Sequence, residues 1–196
     1  MDNINSWKNK NVFKKQLELN ILELSNNYPQ HWLDFIKFIN IEKPKTILDI
    51  GCGCGSYYEL CNLEFSNIKY TGIDYSNEAI ELAKQKWDYD RFYVKDINEL
   101  TKEYINEFDL IHMGALLDVL PNGDEVLEYI LSLSPKKIII GRMELTDKSS
   151  YYETYIAYNE ITTYKYFHSK ENIIYLCGKY GYIIENINNN FLLKKN

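Results

Sequence analysis

The chain has 196 residues, 45% of them apolar and 26% charged, the length and balance of one globular α/β domain with its own core. Its formal net charge is −6 and its only arginines are Arg91 and Arg142. It therefore lacks the basic stripe of a general nucleic-acid binder. No run approaches the roughly 18 apolar residues of a membrane span, and the polar start (Asp2, Asn3, Asn5, Ser6) lacks a signal-peptide core. The expectation is a soluble, cytoplasmic protein without membrane or nucleic-acid partners.

Taken in order, residues 1–44 read as a helical extension. Phe13, Leu17, Ile21 and Leu24 recur on one face. Trp32, Phe35, Ile36 and Ile39 follow a second helical stripe, with Asn26, Asn27 and Pro29 between the two. From Lys45 strands and helices alternate. Thr46–Ile50 is almost wholly apolar, as a parallel strand buried on both faces requires. Further strands are expected over 68–73, 91–94, 108–113 and 137–141. A helix capped by Ser76 carries Ala79, Ile80, Ala83 and Trp87 inward, and another covers 124–133. The end reads as a helix near 169–179 and strands at 182–187 and 191–193, a closing hairpin. The fold class is thus α/β: a Rossmann-like, doubly wound seven-stranded sheet, mostly parallel, with an antiparallel C-terminal hairpin. Residues 45–196 form the main domain.

The stretch 144–167 breaks that rhythm. It is polar and aromatic, with Tyr151, Tyr152, Tyr155, Tyr158, Tyr164 and Tyr166, and leaves the carboxyl end of the fifth strand. Ligands bind at that edge of open parallel sheets, and a connection this long is usually a binding loop or lid. It is expected to face substrate.

Behind the first strand stands Asp49-Ile50-Gly51-Cys52-Gly53-Cys54-Gly55. Glycine at alternate positions lets a polar ligand approach bare backbone. A dinucleotide fingerprint reads G-x-G-x-x-G. Its third glycine position holds Ser56 here, the glycine falling one residue early, which speaks against a dehydrogenase-like domain. Cys52, Cys54, Cys61 and Cys177 have no second Cys or His pair at ligand spacing, so reduced, partly buried thiols and no metal are expected.

D-x-G-x-G-x-G resembles motif I of the Rossmann-like, class I S-adenosylmethionine-dependent methyltransferases. The resemblance covers about 45–193. It implies that Gly51, Gly53 and Gly55, with Cys52 among them, bring the backbone to the methionine part of S-adenosylmethionine, and that Asp49 orders this loop. Asp74, at the end of the second strand, would take the ribose hydroxyls and Tyr75 the adenine. Asp96, followed by Ile97, would meet the adenine amino group, and Met113 completes the cofactor contacts. A narrower likeness to methyltransferases of surface-polysaccharide and lipopolysaccharide clusters lies in Gly114-x-Leu116, Gly141-Arg142-x-x-Leu145-Thr146, Tyr164–168 and Gly181-Tyr182. Asp118 departs from it, an aromatic residue being usual there. The resemblance implies O-methylation of a sugar, nucleotide-sugar or glycan hydroxyl. Methylation of a non-sugar metabolite and a non-catalytic cofactor-binding scaffold stay open, as does oligomeric state. Base methylation of DNA is disfavoured, because Met113-Gly114-Ala115-Leu116 replaces the Asn/Asp-Pro-Pro-aromatic motif.

A sugar hydroxyl needs a base or a metal to become nucleophilic. His112, ending the fourth strand, is the leading candidate base, and His168 the second. Asp118 and Glu144 are weaker ones. Arg142, closing the fifth strand, suits a phosphate or carboxylate of the acceptor, or a salt bridge to a neighbouring acid.

Overall fold

The computed structural model describes residues 7–196; the first six residues of the expected N-terminal helical extension lie outside the described residues. Two helices come first, α1 (Lys10–Ser25) and α2 (Gln30–Glu42). Asn9 caps α1, its side-chain oxygen accepting from the Asn11 amide at 3.0 Å. The alternation then gives β1 (Thr46–Ile50), α3 (Ser56–Glu64), β2 (Lys69–Asp74), α4 (Asn77–Trp87), β3 (Phe92–Val94), α5 (Lys102–Ile105), β4 (Leu110–Met113), α6 (Gly123–Ser132) and β5 (Lys137–Ile140). The segment that breaks the rhythm folds as β6 (Glu144–Thr146), β7 (Tyr151–Ala157) and β8 (Ile161–Ser169). After it come α7 (Lys170–Tyr180), β9 (Tyr182–Ile187) and β10 (Asn190–Lys195).

The main sheet has seven strands in the order β3-β2-β1-β4-β5-β10-β9. The five strands up to β5 pair in parallel and β10 pairs antiparallel with both β5 and β9. This is the Rossmann-like arrangement with a terminal hairpin. A turn at Asn188 and Asn189 joins β9 to β10, and Asn188 takes a φ of +53°, a conformation asparagine tolerates. The chain reverses on the edge of β1, where β1 is flanked by β2 and β4, and that switch point opens a crevice at the carboxyl ends of the strands.

Period-two alternation along each parallel strand builds a core on each face of the sheet. Leu48, Ile50, Ile111, Met113, Ile138 and Ile140 point to the face covered by α5, α6 and α7. Ile47, Tyr70, Leu110 and Ile139 point to the other, against Trp32, Phe35, Phe38 and Ile39 of α2 and Leu60 of α3. Leu127, Ile130 and Leu131 of α6 are fully buried, each such side chain being worth roughly 1.5–3 kcal/mol of transfer free energy. α2 is also tied down by a polar node. The fully buried Asp34 accepts from the Asn188 and Asn190 side-chain amides, each at 2.9 Å. Burial pushes the Asp34 pKa up, but the hydrogen bonds from Asn188, Gln30, Asn190 and Lys37 more than offset this and hold it below its ordinary value.

β6, β8 and β7 form a separate three-stranded sheet in that order. It is fastened to α1 and to the residues just before it. The Trp7 indole N–H donates to Thr163 Oγ1 at 2.9 Å, Lys15 pairs with Glu160 at 2.6 Å, and Val12 packs against Ala157 and Ile161. Among the described residues no helix is long and apolar enough to cross a membrane.

Candidate active site

Two adjoining cavities lie at the carboxyl edge of the sheet. The first, about 430 Å³, runs from Gly51 and Gly53 past Asp74 and Tyr75 to Asp96, Ile97 and Asn98, a volume suited to a small organic ligand. Its roof comes from Trp7, Phe13 and Gln16 at the start of the chain and from Tyr155–158 on the hairpin. Leu116, Val119 and Leu120 form an apolar wall.

The floor follows from the glycines. Gly51 and Gly53 have φ of +72° and +52°, and side chains there are strained for lack of a favourable L-residue conformation. The Gly51 and Cys52 amides both donate to the Ile73 carbonyl, at 2.9 and 3.0 Å, stitching the loop onto the neighbouring strand. Asp74, not Asp49, orders the loop from its polar side: the Gly53 N–H donates to Asp74 Oδ2 and the Ser76 N–H to Asp74 Oδ1, both at 2.9 Å. Burial raises the Asp74 pKa to about 6 against the pull of those two amides.

The structure thus gathers Gly51, Gly53, Asp74, Tyr75, Asp96, Ile97 and Arg142 around one cavity. Asp49, Cys52, Gly55 and Met113 line neither cavity. Asp49 turns under the loop, where its carboxylate takes the Tyr70 hydroxyl and faces His112 Nδ1 at 2.7 Å. The Cys52 thiol is buried against Gly72, and burial drives its pKa up. Gly55 caps α3 with its Cα side turned to Phe92, where a Cβ would meet the ring at 2.6 Å. Met113 points into the core.

The two expected bases need the same correction. His112 is 1% exposed and wedged between Phe35 and Tyr57, with ring centroids 4.7 and 4.2 Å away. Strand register places it beside Asp49, on the α2–α3 face of the sheet rather than in the crevice. His168 is wholly buried, with Nδ1 2.6 Å from Asp124 Oδ1. That carboxylate also takes Ser150 Oγ and the Asn172 amide, at 2.6 and 2.7 Å, so His168 belongs to the joint between α6, β8 and α7. In both histidines Nε2 is buried without a partner.

The second cavity, about 610 Å³, is lined by Gln30, His31, Asp118, Arg142, Glu144, Tyr155, Lys165 and Asn188–190. Every lining residue carries a polar group. Arg142 and Tyr155 line both cavities and so form their common wall. Arg142 sits at φ +60°, a sparsely populated conformation for a non-glycine residue, with its amide donating to Asn190 Oδ1 at 3.1 Å. Its Nη2 lies 3.5 Å from Asp118 Oδ2. The other carboxylate oxygen, Asp118 Oδ1, is buried without a partner. Burial raises the Asp118 pKa to about 6, against the lowering effect of Arg142. His31 goes the other way: burial, then the charge of Arg142, lowers its pKa to about 4, so it is neutral near pH 7. Gly114 and Gly141 serve packing rather than a ligand, since a Cβ at Gly141 would lie 2.4 Å from the Gly114 carbonyl oxygen.

Sequence reasoning missed Trp7, Gln16 and Asn98 in the first cavity and His31 and Asn188–190 in the second. None of these stands in a spaced motif. Among the described residues no group of three or more His, Cys, Asp or Glu side chains is placed to hold a metal ion.

Residues 41–179 match the family described as "Methyltransferase domain". Trans-aconitate 2-methyltransferase from Yersinia pseudotuberculosis serotype O:1b (strain IP 31758) is 30% identical over 111 residues, 56% of this chain and 42% of that protein, so the match spans less than half of the relative's length. The structure of human N-acetylserotonin methyltransferase in complex with SAM superposes on 100% of this chain and 59% of its own, with a TM-score of 0.69 at 14% identity. That of the plantazolicin methyltransferase BpumL, in complex with a desmethyl analogue and SAH, covers 65% of this chain and 52% of its own, with a TM-score of 0.51 at 25% identity. The family match extends over most of the chain, from the end of α2 through β1 and the glycine loop to α7, and the chain therefore belongs to the methyltransferase-domain family, in the class I S-adenosylmethionine-dependent fold.

Proposed function

We propose that the chain binds S-adenosylmethionine in the first cavity and methylates a hydroxyl of a small polar acceptor, a sugar or glycan precursor, held in the second. The observation that carries this reading is the second cavity itself, whose lining is polar throughout and which shares Arg142 and Tyr155 with the first. The first cavity fits the cofactor: glycines keep its floor bare, and a buried carboxylate, Asp74, stands beside them. Asp96 lies at its other end.

When bound, S-adenosylmethionine supplies a methyl group already activated by the sulfonium. The protein's share is to orient the acceptor oxygen and remove its proton. Of Asp118, His112 and His168, it is Asp118 that lines the acceptor cavity, with Oδ1 unpartnered. Asp118 therefore takes the hydroxyl proton. Arg142 holds that carboxylate by Oδ2, and Oδ1 has no partner within the protein. The Asn189 side chain and neutral His31 offer hydrogen bonds to further hydroxyls.

A second reading is favoured by Arg142 and Lys165, two cations in the same cavity, together with the likeness to a trans-aconitate methyltransferase. It is esterification of a carboxylate, which needs no base. Formation of S-adenosylhomocysteine with a panel of monosaccharides, nucleotide sugars and polycarboxylic acids separates the two. For a hydroxyl acceptor, Asp118→Asn lowers kcat by about 10²-fold or more and leaves S-adenosylhomocysteine affinity unchanged. Turnover confined to polycarboxylates, undiminished in Asp118→Asn, replaces the sugar reading with the ester one.

A further inference from the structure

Gln16, on the first turns of α1, combines three observations. Its side chain lines the first cavity. Its Oε1 lies 3.1 Å from the point where a Cβ on Gly53 would stand, so the carboxamide rests directly over the glycine loop. That Oε1 is buried and has no hydrogen-bond partner. A buried carbonyl oxygen without a donor is costly, and such an atom in a ligand cavity marks where a donor arrives. The helix carrying it is fixed in place from both sides. Phe13 packs on Cys54 and Ala79, and Lys15 and Trp7 are anchored to the β7–β8 hairpin.

The position within the cavity says which part of a ligand is met. The lining follows the sheet order β3-β2-β1: Asp96 and Asn98 come after β3, Asp74 closes β2, and Gly51 and Gly53, with Gln16 over Gly53, come after β1. An adenosine read by the acidic residues leaves its 5′ substituent at the glycines. In S-adenosylmethionine that substituent ends in an amino acid, whose α-ammonium group carries N–H donors and nothing to accept with. We infer that Gln16 is a cofactor-selecting residue: its Oε1 accepts a hydrogen bond from the α-ammonium group of S-adenosylmethionine, so that α1 reads the amino-acid end of the ligand. This rests on the reading of the first cavity as the cofactor site.

The test is calorimetric binding of two commercial ligands, S-adenosylhomocysteine and 5′-methylthioadenosine, which share the thioadenosine and differ in the amino acid. Gln16→Leu keeps the bulk and removes the acceptor. It is expected to weaken S-adenosylhomocysteine about tenfold or more, the scale of a hydrogen bond to a charged group, and to leave 5′-methylthioadenosine within about twofold. Gln16→Glu restores an oxygen acceptor facing the ammonium, so its S-adenosylhomocysteine affinity is expected to stay within about threefold of wild type. Equal losses for both ligands in Gln16→Leu, no loss for S-adenosylhomocysteine, or a Gln16→Glu as weak as Gln16→Leu would each overturn the inference. Failure of the underlying cofactor reading looks different, because wild type would then bind neither ligand.

Discussion

Among the described residues, Asp74 and Asp118 are the two carboxyls that burial lifts to about 6, one in each cavity. A carboxyl with a raised folded-state pKa binds its proton more tightly folded than unfolded. Its contribution to stability is therefore full below the unfolded value of about 4 and is lost as pH rises through about 6. Asp118 faces Arg142 and His168, which favour its charge, and Glu144, which opposes it; Tyr57 and Tyr155 feel its charge in turn. Replacing it with Asn removes the titration. Asp118→Asn is expected to gain on wild type between pH 4 and 6, by on the order of 2 kcal/mol above pH 6, in urea melts of the unliganded protein across that range. Parallel pH–stability curves for the two proteins would show that the carboxyl is not held in the low-dielectric wall described here. The same residues show what a sequence hides. Glycines and aspartates at strand ends were legible because a parallel strand must deliver its last residues to the crevice. His112 was not, because a strand buried on both faces gives no alternation to say which side a polar residue takes. Register with Asp49 decided it.

The elements that roof the first cavity come from opposite parts of the chain. α1 and the β7–β8 hairpin are joined by the Lys15–Glu160 pair and the Val12 cluster, and the residues just before α1 by the Trp7–Thr163 hydrogen bond. Trp7 also meets Tyr158 edge-on at 6.4 Å. Trp7→Ala removes a hydrogen bond worth about 1 kcal/mol and an aromatic contact of similar size. It is expected to speed S-adenosylhomocysteine dissociation by about three- to tenfold in stopped-flow displacement, with little change in association. An unchanged dissociation rate would mean that the roof does not retain the ligand. The hairpin was legible as an aromatic interruption but not as strands. Six of the seven β7 residues are exposed, so neither face carries the apolar alternation that signals a strand. α5 was missed for another reason: at four residues it is a single turn, too short for a helical period.

At the scale of the whole molecule, the seven-stranded, mostly parallel sheet and its terminal hairpin were readable from buried strands alternating with capped helices, whereas the strand order and the switch point at β1 come from the pairing alone. The second cavity was readable only in part, through Arg142, Asp118, Glu144 and the 144–167 segment. Its lining comes from α2, the turn after β4, the end of β5, the β6–β8 sheet and the β9–β10 turn, segments far apart in sequence that only the closed fold brings together. The first cavity, by contrast, draws its polar floor from consecutive strand ends and is the part on which the rest of the proposal depends. Isothermal titration of S-adenosylhomocysteine into the wild type and into Asp74→Ala tests it most directly. Asp74 holds the Gly53 amide and faces the cavity, so its loss removes a ligand contact and loosens the loop together. The expected result is one-to-one binding by the wild type and affinity at least tenfold weaker in Asp74→Ala. Absence of binding to the wild type, or equal affinity in the two proteins, would contradict the assignment of this cavity to the cofactor.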